Sequence, residues 1–141
     1  LLLWTSTRWP GLLEEARKQA IVDDVFALQQ QDGGWSIRRF AAPEKWGGGN
    51  RAERLRAESD YDAPPSDGHM TGLALLTLVD AGVPRDDPRM RRGIDWLLQH
   101  QRESGRWWTR SLNTDNAHYI TFSSTVYALV ALEKTGALPA P

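Results

Sequence analysis

The chain has 141 residues, with 17 Lys and Arg against 18 Asp and Glu, and it contains no cysteine. This length is typical of one domain or of a piece of a larger protein. A formal net charge of −1 gives no field that would attract a polyanion, so nucleic acid is not an expected partner. Without cysteine there is no disulfide framework, thiol nucleophile or thiolate-ligated zinc, and we expect no metal and no cofactor. The composition does not indicate a cellular compartment.

The apolar stretch at the start covers only residues 1–4. This is too short for the apolar region of a signal peptide or for the ~20 residues of a membrane span. No later run reaches that length without charges, so we expect no transmembrane segment. Because position 1 is not Met, we interpret the sequence as an excised or processed segment.

Four helices are predicted in chain order. The first covers about residues 12–31, with apolar side chains at three- and four-residue spacing, and Asp32-Gly33-Gly34 ends it. The second, about 68–81, is apolar nearly all round and should be surrounded by protein. The third begins at Pro88 and is amphipathic. The fourth, about 119–135, is again almost continuously apolar.

Amphipathic and apolar helices therefore alternate, and the alternation repeats. Residues 71–82 align with residues 125–136 at an offset of 54. Residues 26–35 align with residues 96–107 in a register that pairs Gln31 with Gln101. Internal repeats of a helical hairpin indicate a stacked array, in which the apolar helices lie inside and the amphipathic ones cover them.

Residues 36–67 break this pattern with mixed charges, a run of three glycines and a pair of prolines. Connections of this length are uncommon and usually form lids, binding loops or disordered segments. A short helix within residues 51–58 fits the sequence. We interpret residues 1–141 as a single domain or fragment, with an outer helix and first turn in 12–35, an insertion in 36–67, and an inner, an outer and an inner helix in 68–141.

Residues 92–107 contain a basic residue, a glycine, an aromatic-Leu pair, a glutamine and then Gly-x-Trp. This pattern resembles the QW repeat of the squalene–hopene cyclase and oxidosqualene cyclase superfamily, and residues 29–35 resemble a degenerate second copy. The resemblance implies an all-α fold, with helical hairpins of a partial α/α toroid like that of terpenoid cyclases and prenyltransferases. The long irregular insertion would be added to it.

The motif residues themselves indicate a structural role. A glutamine at the end of the outer helix can bridge backbone groups as donor and acceptor, and a glycine permits a tight turn. A tryptophan then folds back over the hairpin and buries a large surface. The residues predicted to pin the two hairpins are Gln31, Gly33, Trp35, Gln101, Gly105 and Trp107.

The catalytic motif that the resemblance would imply is absent. Cyclases of this kind protonate an alkene with an Asp-x-Asp-Asp motif, and the acidic groups at 23–24, 60–62 and 86–87 do not match it. The zinc site of the prenyltransferases includes a cysteine, which this chain lacks. The resemblance therefore implies a module that forms or shares an apolar pocket without complete catalytic machinery.

Two acidic clusters precede the apolar helices and supply the candidate catalytic residues. Asp67 and His69 come at the start of the second helix, and Asp115 and His118 come before the fourth. If the hairpins stack side by side, both clusters lie at the same end of neighbouring inner helices. Asp67, Asp115 and His118 are the candidates for acid–base chemistry, and helix capping is the alternative.

Aromatic side chains around the second copy supply the candidate substrate-binding residues. The resemblance implies that such side chains stabilise carbocations through their π faces, and ordinary core packing is the alternative. The candidates are His69, Trp108, Tyr119, Phe122 and Tyr127.

Three functions follow from these observations. The leading one is a terpenoid-cyclase-like module with an apolar pocket for an isoprenoid or another lipid. The second is an active triterpene cyclase or isomerase that uses a non-standard aspartate, and the third is a helical-repeat scaffold for protein contacts. Because two hairpins would leave an inner-helix face uncovered, we expect a homo-oligomer, contact with another domain of a longer chain, or coverage by the insertion.

Overall fold

The computed structural model describes residues 1–112 and 119–138, and the regular structure of these residues is entirely helical. No β-strand occurs in this part of the chain, so the predicted all-α fold is confirmed. The α-helices, in chain order, are α1 (Leu2–Ser6), α2 (Glu15–Ala27), α3 (Ala52–Arg56), α4 (Gly68–Asp80), α5 (Pro88–Gln99) and α6 (Tyr119–Lys134). Between α2 and α3 lie short 3₁₀ segments at Ile37–Arg39, Pro43–Lys45 and Gly47–Gly49.

The four predicted helices are α2, α4, α5 and α6. Of these, α2 is shorter than predicted at both ends: Glu14 is still extended, and the chain already turns after Ala27. Gly33 has a positive φ of 92°, and its N–H donates to the Gln30 carbonyl oxygen to close that turn. Helix α1 was not predicted, because five residues are too few to show a periodic pattern.

Helix α4 lies at the centre of the molecule and has buried residues all round, as predicted. These are Gly68, His69, Thr71, Gly72, Ala74, Leu75, Leu76, Thr77 and Leu78. Helix α6 runs parallel to it, since His69 contacts Ser123 near the amino-terminal ends and Asp80 pairs with Lys134 near the carboxyl-terminal ends. The two inner helices are therefore in contact along their whole length.

Helix α5 packs on the outside of α4 through its apolar side. Gly93 lies there, and a Cβ at this position would be 2.8 Å from the Trp35 ring and 3.0 Å from Leu75. Helix α1 covers the carboxyl-terminal end of α4, where the Trp4 indole N–H donates to Asp80 Oδ2 over 2.8 Å. The outer helices thus shield α4 from solvent.

The two tryptophans of the repeated motif occupy equivalent positions. Trp35 is 0% exposed and donates its indole N–H to the Val25 carbonyl oxygen over 2.7 Å. Trp107 is 2% exposed and donates to the Leu97 carbonyl oxygen over 2.8 Å. Each indole therefore folds back onto the outer helix that precedes it.

The glutamine of the first copy is Gln29, which corrects the register given above with Gln31. Gln29 Nε2 donates to the Gly33 carbonyl oxygen over 2.8 Å, as Gln101 Nε2 donates to that of Gly105 over 2.9 Å. The side chain of Gln31 is exposed. Three consecutive glutamines left the register ambiguous in the sequence, and the turn geometry selects the first of them.

Helix α6 is covered on one side only. Its buried residues are Ile120, Ser124, Ala128, Ala131 and Leu132. The opposite side carries exposed apolar residues, which we call the α6 stripe: Tyr119, Phe122, Val126 and Leu129, with exposures of 68%, 59%, 57% and 42%. An uncovered inner-helix face, as expected for two hairpins, is therefore present.

The insertion folds back against the helices by means of buried polar contacts. The Ile37 N–H donates to Asp67 Oδ2 over 2.7 Å, at the start of α4. Arg38 pairs with Glu58 at 2.8 Å and with Asp60 at 2.9 Å inside the insertion. These contacts place the insertion over the amino-terminal ends of the inner helices.

Candidate functional site

A cavity of about 620 Å³ lies between the insertion and the amino-terminal parts of the inner helices. The helices α4 and α6 contribute His69, Met70, Leu73, Tyr119 and Ile120 to its lining. The insertion contributes Ile37, Phe40, Trp46, Gly47, Asn50 and Arg51. Its volume is within the range of about 300–1,000 Å³ that small-molecule sites occupy.

The lining is mostly aliphatic and aromatic, and its polar groups are few. Phe40 and Trp46 of the insertion line the cavity together with the apolar side chains of Met70 and Leu73 on α4. Such a surface binds apolar ligands through the hydrophobic effect, while a few polar groups set their orientation. The cavity is therefore suited to a ligand that is largely hydrocarbon.

His69 is held rigidly at the edge of this cavity. Its Nδ1 shares a hydrogen bond of 2.9 Å with Ser123 Oγ, and its ring meets the Tyr127 ring edge-on with centroids 5.1 Å apart. The side chain is buried, and burial lowers its pKa to about 4. At neutral pH the imidazole is uncharged, so it can accept or donate a hydrogen bond but does not act as a cation.

Asp67 caps α4 and joins three segments of the chain. Its Oδ1 accepts from the Met70 N–H over 2.8 Å and from Thr109 Oγ1 over 3.0 Å, while its Oδ2 accepts from the Ile37 N–H. Burial raises the pKa of this carboxyl group, against the lowering effect of the donors around it. Asp67 is not part of the described cavity lining, and its oxygens are occupied by structural hydrogen bonds.

The structure brings together some of the aromatic candidates but not all of them. Tyr119 lines the cavity and Tyr127 supports His69. Trp108 and Phe122 are exposed and border a separate cleft of about 150 Å³ beside Arg102. These two side chains therefore do not share a pocket with His69.

Asp115 and His118 lie outside the described residues. The residues that flank this stretch, Leu112 and Tyr119, both line the cavity. The amino-terminal ends of α4 and α6 also lie side by side, as the contact of His69 with Ser123 shows.

Several lining residues were not among the predicted site residues. Phe40, Trp46 and Arg51 come from the insertion, and Met70 comes from the first turn of α4. The signal available in the sequence was the presence of large aromatic side chains in a long polar connection. Solvated loops rarely carry such side chains without burying them against something.

Two further properties concern the described part of the chain. Within residues 1–112 and 119–138, no three His, Asp or Glu side chains are grouped closely enough to hold a metal ion. Among the helices of the same ranges, none combines the length and the apolar character needed to cross a bilayer.

The described part of the chain is thus an all-helical module with a cavity whose lining is mostly apolar. Residues 12–136 match the profile of the squalene-hopene cyclase C-terminal domain, and the chain belongs to this family.

Three curated relatives are similar over parts of the chain. A squalene–hopene cyclase of Bradyrhizobium diazoefficiens is 33% identical over 86 residues, which are 60% of this chain and 11% of that protein. That of Zymomonas mobilis is 27% identical over 97 residues, 69% of this chain and 14% of the relative. That of Schizosaccharomyces japonicus is 49% identical over 37 residues, 26% of this chain and 6% of the relative. The matches thus span a small part of each relative, and no solved structure gives a significant match.

Proposed function

We propose that this chain is a cyclase-like helical module whose cavity binds an isoprenoid or another lipid. The observation that carries the proposal is the cavity of about 620 Å³ with its predominantly apolar lining. Membership of the squalene-hopene cyclase C-terminal family supports a polyisoprenoid as the ligand class. The absence of the Asp-x-Asp-Asp motif from the sequence supports binding without complete catalytic machinery of its own.

The energetics of such binding are favourable. Each methylene group that leaves water contributes about 0.8 kcal/mol. Burial of roughly ten carbon atoms would supply about 8 kcal/mol, from which the loss of translational freedom and the ordering of the chain must be subtracted. Affinities in the micromolar range or weaker are therefore expected for an isoprenoid alcohol of moderate length.

The test is a titration of the purified chain with farnesol, followed by tryptophan fluorescence. Trp46 lines the cavity, and a parallel titration of Trp46→Phe shows which part of the signal comes from it. The variant Leu73→Trp should fill the cavity and weaken binding at least about tenfold, which corresponds to a loss of about 1.4 kcal/mol or more. Leu129→Trp introduces the same side chain on the α6 stripe, outside the described lining, and should leave the affinity unchanged. Absence of saturable binding by any isoprenoid alcohol or hydrocarbon would refute the proposal.

A second candidate is an active cyclase or isomerase that uses a non-standard acid. The supporting observation is that the residues on either side of 113–118, the stretch that contains Asp115, line the cavity. Turnover of squalene and of shorter isoprenoids by Asp115→Asn and Asp67→Asn should be compared with that of the unchanged chain. Turnover that persists in both variants would remove these carboxylates from catalysis.

A third candidate is a scaffold for protein contacts, and the exposed α6 stripe favours it. Native mass spectrometry of the purified protein separates this candidate from the first. A retained lipid of defined mass supports the ligand pocket, whereas a ligand-free oligomer supports the scaffold.

A further inference from the structure

We propose that the cavity takes an amphiphile with an anionic head group, a carboxylate or a phosphate, and that Arg51 is its counter-ion. This inference rests on the proposed function, because it assigns a ligand class to the same cavity. It is carried by the charge distribution around the cavity and by the surroundings of Arg51.

The described lining contains one arginine and no carboxylate. Arg51 borders the cavity together with Asn50, whose amide can donate a further hydrogen bond. Among the side chains of the described lining, His69 is the other titratable base, and burial keeps it neutral at pH 7. The charge that a ligand meets on these residues is therefore positive and is located on the insertion side.

Within the part of the chain that the structure describes, Arg51 has no acidic partner, in contrast to other arginines nearby. Arg38 pairs with Glu58 and Asp60, and Arg110 also pairs with Glu58. Among the ion pairs of the described residues, none includes Arg51, although its side chain is half-buried. A guanidinium that is partly removed from water without a counter-ion favours an anion, which it can bind through two parallel hydrogen bonds.

The helix end that borders the cavity does not compete for this role. In the first turn of α4, the Met70 N–H donates to Asp67 and the His69 N–H donates to Thr109 Oγ1. These donors are therefore already used inside the protein. The insertion therefore binds the head group of the ligand, while Leu73 and Ile120 of the inner helices contact its hydrocarbon tail.

A wholly neutral hydrocarbon would bury part of Arg51 and leave its charge uncompensated, which opposes binding. An amphiphile avoids this cost because its head group reaches the guanidinium while its chain fills the apolar side. The arrangement thus favours an isoprenoid phosphate or a long-chain carboxylate over the corresponding alcohol.

The experiment compares two matched ligand pairs on the full chain: farnesyl phosphate with farnesol, and palmitate with hexadecanol. We expect each anion to bind about tenfold tighter than its alcohol at low salt, and the advantage to shrink as salt is added. Arg51→Gln should abolish the preference for the anions, because it weakens anion binding and removes the cost that the uncompensated charge imposes on the alcohols. Arg39→Gln changes an exposed arginine of the insertion outside the described cavity lining and should have no effect.

The outcomes are separable. If alcohols and anions bind equally and Arg51→Gln changes neither, the inference is wrong while the proposed apolar pocket stands. If no ligand binds, the proposed function itself fails. A preference for phosphate over carboxylate, or the reverse, identifies which source of the anionic head group the cavity accepts. Circular dichroism of Arg51→Gln verifies that the variant is folded.

Discussion

At the scale of single residues, Gln29 illustrates how a side chain fixes a turn. It donates to the carbonyl oxygens of Gly33 and Arg89, both over 2.8 Å, and accepts from the Arg92 guanidinium over 2.8 Å. The side-chain amide of Gln29 thus holds the turn that follows α2 against α5. The equivalent Gln101 is exposed and makes the bond to Gly105 within its own turn.

Because Gln29 makes these contacts and the side chain of Gln31 is exposed, we expect substitutions at the two positions to have unequal effects on stability. Gln29→Ala should lower the free energy of unfolding by about 1–2 kcal/mol, because three hydrogen bonds are lost at a partly buried site. Gln31→Ala, on an exposed side chain, should change it by less than about 0.5 kcal/mol. Urea denaturation of both variants measures the effect, and equal losses would contradict the register described above.

His69 gives the protein a predictable pH dependence. Burial lowers its pKa to about 4, whereas the same group in the unfolded chain titrates near 6.5. As the pH falls from about 6.5 to about 4, the unfolded state takes up the proton first. The contribution of His69 to the free energy of unfolding is therefore fully present above about pH 6.5 and is lost toward pH 4. The loss should be about 1–2 kcal/mol, less than the full shift implies, because the ring borders an open cavity.

The measurement is the free energy of unfolding at pH 7.5 and at pH 4.5. His69→Gln should remove most of the decrease between the two values. His100→Gln replaces an exposed histidine and should retain it. A decrease that is the same in all three proteins would show that other groups cause it.

At the scale of elements, the contact between α4 and α6 determines the shape of the core. Gly72 lies at the closest approach, where a Cβ would be 2.6 Å from the Ala128 nitrogen and 2.7 Å from the Tyr127 carbonyl carbon. Both neighbours are backbone atoms of α6, which cannot move without shifting the helix. The aligned position in α6 is Val126, which is exposed and has no such restriction.

Gly72→Ala therefore sets two effects against each other. Helix propensity alone would stabilise the variant by about 1 kcal/mol. Forced separation of two packed helices costs about 1–3 kcal/mol and in a rigid contact more. We expect the steric effect to prevail, with a net loss of about 1–2 kcal/mol in thermal or chemical denaturation. A stabilised Gly72→Ala variant would show that the helices are less closely packed than described.

At the scale of the whole molecule, the α6 stripe is an uncovered apolar surface on an inner helix. Apolar side chains at positions 119, 122, 126 and 129 lie on one side of the helix and remain exposed. Contiguous exposed apolar surface of this kind marks an interface or promotes association. The insertion covers the amino-terminal ends of the inner helices but leaves this stripe uncovered.

We therefore expect the isolated chain to associate in a concentration-dependent manner. Val126→Lys should shift the sedimentation profile toward the monomer, because a charge in the stripe opposes its burial. Gln99→Lys adds the same charge at an exposed polar position at the end of α5, away from the stripe, and serves as the control. Monomeric behaviour of the unchanged chain at high concentration would contradict this expectation.

The sequence by itself determined the presence of the four main helices and, except for α2, where they begin and end. These properties depend on local periodicity and on glycine and proline, which act over a few residues. The resemblance at residues 92–107 indicated the family, and the match of residues 12–136 shows it. The sequence pattern did not identify Gln29 as the glutamine of the first copy, because three adjacent glutamines satisfy the motif almost equally well.

Only the tertiary structure decided which side chains share the cavity. It brings Phe40, Trp46 and Arg51 of the insertion to the start of α4 and leaves Trp108 and Phe122 on another surface. The physical reason is that a cavity depends on how segments distant in the chain pack together. That packing is set here by Asp67. Its carboxylate accepts hydrogen bonds from Ile37 of the insertion, from Met70 of α4 and from Thr109 after α5.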